Sequence, residues 1–100
     1  MPRGEMPVRA VIKEAAEELG LSQDDLMEQG LRAFLERQLR EVRAQIFQIT
    51  GSYGVSGVEE MEARYRQGTL DEATSWRDLQ RLDHLEYKQE RLTRLLEALA

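Results

Sequence analysis

Apolar positions recur on helical periods along nearly the whole chain. Val8, Val11, Ile12, Ala15, Ala16 and Leu19 fall at i, i+3, i+4, i+7, i+8 and i+11, one stripe running along three helical turns. The seven residues before them hold two prolines and a glycine and are expected to be irregular. Gly20 supplies a stop, and Ser22 a start, because a serine side chain accepts hydrogen bonds from the free backbone N–H groups of a first turn. Asp24 and Asp25 then lie where the positive end of a helix dipole favours carboxylates. The pattern predicts helices over 8–19 and from residue 23.

The second helix carries the strongest pattern. Between Gln23 and Thr50 there is no proline, and Gly30 is the single interior glycine. Leu35, Leu39, Val42, Ile46 and Ile49 follow one another at alternating spacings of four and three, the seam of a coiled coil. Glu28, Arg32, Glu36 and Arg40 alternate in sign at i, i+4 steps, a solvated ladder of modestly favourable pairs. At ~1.5 Å per residue, residues 23–50 would reach ~42 Å. A compact chain of this length has a radius of gyration of only ~13 Å. The helix is therefore expected to project beyond a compact monomer and to offer its seam, Leu35 to Ile49, as an oligomer interface.

Three glycines within residues 51–57 mark a turn-rich break. Ser56 with Glu59 has capping-box spacing, which predicts a short helix over 58–67 ended by Gly68. Thr69 with Glu72 repeats that spacing. A last helix over 75–99 carries Trp76, Leu79, Leu82, Leu85, Leu92, Leu96 and Leu99 on one stripe, with Gln89 polar at a position the stripe would fill. The expected fold is all-α: an αα-hairpin of two long helices with an N-terminal helix and a short linking helix, assembled into a dimeric or higher bundle. No repeat or low-complexity segment interrupts it.

Composition narrows the options further. One hundred residues make one domain with a thin stability margin. Without cysteine, disulfides, zinc ribbons and thiol catalysis drop out, and oligomerisation is the remaining route to extra stability. No apolar run approaches the roughly 18 residues of a membrane span. The first seven residues lack the apolar centre of a signal peptide, so a cytoplasmic location is expected. Arginine outnumbers lysine twelve to two and asparagine is absent, a bias compatible with a thermophile and equally with a GC-rich genome.

Candidate chemistry is sparse. The single histidine, His84, sits between Asp83 and Glu86, but consecutive helical residues diverge by about 100° and cannot readily hold one ion together. The positions three and four before it are Arg81 and Gln80. Carboxylates gather at Glu59, Glu60 and Glu62 and at Asp71 and Glu72, where first-turn capping already accounts for them; acid–base work would need two carboxylates in unlike environments within one cleft. Gly51-Ser52-Tyr53-Gly54 has neither a preceding strand nor a following lysine, unlike a phosphate loop. No catalytic residue, metal or cofactor is expected, and the chain reads as a non-enzyme.

Ala16, Gly20, Leu21, Ser22 and Leu26 have the spacing of the turn in helix-turn-helix proteins, and the segment from Val11 to Leu39 resembles the two helices of ribbon-helix-helix antitoxins and repressors. Both resemblances imply DNA binding. This chain departs from them: the would-be recognition helix opens Gln23-Asp24-Asp25, and residues 14–30 carry six acids and no base. Phosphate contact dominates DNA affinity, so that surface repels a duplex. Arg3, Arg9 and Lys13 are the basic residues left to touch DNA, as paired ends of a dimer. Nucleic acid is not an expected partner of the monomer.

The central region, Tyr53-Gly54-Val55-Ser56, Glu59-Glu60-Met61-Glu62, Tyr65, Gly68 and Trp76-Arg77-Asp78, resembles a segment of small acidic proteins encoded beside toxins in prokaryotic operons. With the helix pair, the resemblance covers about residues 8–90. It implies an antitoxin-like protein that masks a basic partner, and residues 51–72 do carry three net negative charges. Tyr53, Tyr65 and Trp76 would anchor that partner, or else fill the end of the hairpin core. The expected function is a protein–protein interaction module, with a self-associating helical oligomer and a small dimeric regulator as alternatives.

Overall fold

A computed structural model of the chain describes residues 6–99; Arg3 and the rest of the expected irregular segment up to residue 5 lie outside them. Four helices follow in order: α1 (Val8–Leu19), α2 (Gln23–Tyr53), α3 (Val58–Gln67) and α4 (Glu72–Ala98). The all-α hairpin with an added N-terminal helix and a linking helix is the observed fold. Gly20 ends α1 in the left-handed region at φ 70°, a conformation open to glycine at little steric cost. The N–H of Leu21 reaches the carbonyl of Ala16 at 2.9 Å, a Schellman closure. Ser22 Oγ then accepts from the N–H of Asp25 at 3.0 Å and opens α2.

Two boundaries and one cap differ from the sequence reading, each for a physical reason. α2 passes through Gly51 and Ser52 and stops at Gly54, at φ 63°. An interior glycine costs about 1 kcal/mol, but the extra turn carries Tyr53 into the hairpin core. α3 has no serine cap: its N-cap is Gly57. The carboxylate of Glu60, rather than Glu59, accepts from the N–H of Ser56 at 2.6 Å, and Glu86 of α4 accepts from the N–H of Val58 at 3.1 Å. α4 begins three residues early because Asp71, rather than Thr69, caps it, accepting from the N–H of Ala73 at 3.0 Å.

The core lies between α2 and α4. Leu35, Leu39, Val42 and Ile49 of α2 meet Leu79, Leu82, Leu85 and Leu92 of α4, with Val55 and Met61 closing the turn end. Leu82 and Met61 are fully enclosed. Among the described residues no buried side-chain polar atom lacks a hydrogen-bond partner. The molecule measures 61 × 37 × 16 Å with a radius of gyration of 20.4 Å, well above the ~13 Å of a compact domain this long. Much of that elongation has a simple origin. Arg32 Nη2 donates to the carbonyl of Leu99 at 2.8 Å, so α4 runs out level with Arg32, and the nine residues of α2 before it extend past the hairpin carrying α1 alone.

Candidate protein-docking surface

The seam Leu35, Leu39, Val42, Ile46 and Ile49 is not an open interface. Val42 is 2% exposed, Leu35, Leu39 and Ile49 are also buried, and Ile46 is half-buried against the same cluster. The stripe of α4 covers them within one chain, because the glycine-containing turn and α3 return the second long helix antiparallel along the first. A second chain would have to displace α4 to reach them. The argument from helix length holds in another form: α2 does outrun the hairpin, but at its N-terminal end rather than along the seam.

Two of the three expected partner anchors are likewise spent inside the chain. The Tyr53 hydroxyl donates to Asp78 Oδ2 on α4. That bond stabilises the protonated phenol, and with burial and the Asp78 charge it pushes the Tyr53 pKa up from the ordinary 10.0 to about 12. The Tyr65 hydroxyl lies 2.6 Å from Ser75 Oγ, whose single proton is committed to the carbonyl of Asp71 at 2.8 Å, so Tyr65 is the donor. Tyr53 and Tyr65 thus fill the turn end of the core. Trp76 is different: it is 47% exposed and edges a shallow cleft with Val58, Glu62, Leu79, Gln80 and Asp83.

Within the acidic cluster of α3, Glu60 is tied down in the same way. Glu60 is held below the usual carboxylate range chiefly by the backbone N–H of Ser56, with Arg64 adding a smaller effect. Arg64 in turn donates to the carbonyls of Tyr53 and Gly54 at 3.0 and 2.8 Å, offsetting the negative end of α2. His84 is exposed. Among the described residues no three histidine or carboxylate side chains come together as metal ligands, and no helix is long and apolar enough to cross a membrane.

What the molecule does leave open is the head formed by α1 and the first turns of α2. Val8, Val11, Ile12 and Ala15 from α1 and Leu26, Met27, Gly30 and Leu31 from α2 line an apolar groove of about 520 Å³. Phe34 extends the strip along α2, with the Arg37 guanidinium 5.5 Å from its ring centre, a cation–π arrangement. Val8 is 73% exposed, and Leu31 and Phe34 are each 49% exposed. Seven of the eleven large apolar side chains left exposed among the described residues fall within residues 6–34, so the exposure is concentrated rather than scattered. Ala16 alone is buried in α1, and no α1 residue joins the hairpin core. On the two helices of this head Glu14, Glu17, Glu18, Asp24, Asp25 and Glu28 are all exposed, as are Arg9 and Lys13.

The α1 stripe is legible in the sequence, but not what covers it. The available signal was on α2: Met27, Leu31 and Phe34 recur at four and three on a line separate from the Leu35–Ile49 seam, with Gly30 beside them. No curated protein and no solved structure matches the chain. A family model described as the uncharacterized protein MJ0235 family matches residues 6–100, and the chain belongs to that family.

Proposed function

We propose that this chain is a non-enzymatic protein-binding module, whose α2–α4 hairpin is a rigid support and whose docking surface is the groove between α1 and the head of α2. One observation carries the reading. A contiguous apolar strip overhangs the hairpin, where no part of the described chain covers it. Contiguous exposed apolar area with a polar rim marks protein interfaces far more often than it marks idle surface. The titratable groups with displaced pKa values, Tyr53 and Glu60, answer to structural hydrogen bonds and sit away from this groove, which supports binding over catalysis.

The experiment is site-specific photocrosslinking in the native host. A photoreactive residue at Leu31 is expected to give a discrete adduct, identifiable by mass spectrometry. The same residue at Phe47, which is 78% exposed on the hairpin part of α2, is expected to give none. Equal labelling at the two positions, or none at Leu31, defeats the docking reading. The excess of acids on the head, six against two bases within residues 8–30, favours one second reading, antitoxin-like masking of a basic protein. It requires that the Leu31 adduct contain a small basic protein encoded beside this one.

A further inference from the structure

We infer that the occupant of the groove is a second copy of this chain, packed about a two-fold axis with the two α2 helices antiparallel and crossing at Gly30–Leu31. The inference rests on the docking reading above and names its partner. Four independent features lead to it.

The first is area. The chain exposes 7754 Å², whereas a compact monomer of 11.6 kDa exposes about 5,800 Å². The excess of about 1,900 Å² is more than twice the ~800 Å² that each chain contributes to a standard interface. The second is α1 itself. Twelve residues are at the lower limit for an isolated helix in water, and with one buried side chain α1 gains little from its own hairpin. Covering Val8, Val11 and Ile12 from a second copy supplies the missing burial.

The third feature is Gly30. It lies inside α2, yet a methyl group built there meets no atom within 4 Å. Nothing among the described residues calls for glycine, which weakens a helix relative to alanine. A notch of this kind in an apolar face admits a side chain or backbone from outside. The fourth is register. In an antiparallel pair centred between residues 30 and 31, positions that sum to 61 face one another. Leu31 then seats on the partner's Gly30, Phe34 on the partner's Met27, and Arg37 opposite the partner's Asp24. One register thus matches a knob with a hole, two apolar side chains, and two opposite charges. Charge along α2 agrees: residues 23–30 hold three acids and no base, while residues 31–43 hold four arginines against two glutamates. Antiparallel packing sets the acidic stretch of each copy beside the basic stretch of the other.

The test uses the purified full chain. Sedimentation equilibrium at micromolar concentration should return twice the 11.6 kDa chain mass. Replacing Leu31 and Phe34 together by aspartate should raise the dimer Kd by about a hundredfold or more, with the α2–α4 hairpin still folded because neither side chain belongs to its core. Cysteine pairs read the register, since the native chain has none. Chains carrying Met27→Cys mixed with chains carrying Phe34→Cys should form the mixed disulfide faster than either forms its own. A monomeric native chain, a dimer indifferent to the two aspartates, or same-site disulfides forming as fast as mixed ones would each overturn the inference. A monomer whose Leu31 still crosslinks to another protein leaves the docking reading standing and removes the second copy alone.

Discussion

Tyr53 shows how a single side chain can be read in two ways. As a sequence position, an aromatic beside glycines in an acidic segment looks like a partner anchor; in the fold its ring joins the core and its hydroxyl is bound by Asp78. The consequence is measurable. Because the folded pKa of about 12 stands above the ordinary 10.0, the native state holds the phenol proton more tightly than the unfolded chain does. The stability this contributes is whole below pH 10 and is lost as pH rises toward 12. Urea midpoints taken across that window should fall with pH, and Tyr53→Phe should flatten the fall while lowering stability at neutral pH. An unchanged slope in the variant would show that other groups govern the alkaline limb. Tyr65 was open to the same double reading: its donation to Ser75, whose own proton is held by Asp71, depends on α3 and α4 meeting. No spacing within either helix signals such a contact.

The elements divide by whether their determinants are local. The stop of α1, the start of α2 and the end of α3 rest on Gly20, Ser22 and Gly68, whose preferences act within four residues, and these were legible in the chain. The length of α2 and the cap of α3 were not, because they depend on partners distant in sequence: Tyr53 packing on α4, and Glu86 reaching back to Val58. Gly51 and Gly30 make the contrast testable within one helix. A methyl group at either position meets nothing within 4 Å in the single chain, so alanine at either should stabilise the isolated chain by about 0.5–1 kcal/mol. In the associated form the two should separate. Gly51→Ala keeps its full gain, whereas Gly30→Ala forfeits part of it by filling the notch that receives Leu31. Chemical denaturation at high protein concentration measures both, and equal gains there would show that Gly30 has no role in packing between chains.

At the scale of the whole molecule, the chain consists of a well-buried hairpin and an overhanging head that is helical but hardly buried. Periodicity alone could not separate the two. The stripe of α1 and the seam of α2 look alike in sequence, and whether each is covered depends on how far α4 reaches along α2, a matter of tertiary placement marked by Arg32 meeting Leu99. The division predicts two stabilities in one chain. Amides of α2 from Leu35 onward and of α4 exchange only by opening the leucine core. Amides of α1 have one buried side chain, Ala16, to hold them. If a second copy covers the head, α1 is protected only while the dimer persists, and its opening free energy falls with dilution as mass action requires. Hydrogen exchange followed across a dilution series should therefore show α1 protection fading as protein concentration drops through the dimer Kd, with the hairpin core unaffected. In the chain with Leu31 and Phe34 replaced by aspartate, α1 should exchange rapidly at every concentration. Protection of α1 that is independent of concentration in the native chain would mean that the head is stable by itself, and the reason for a second copy would go with it.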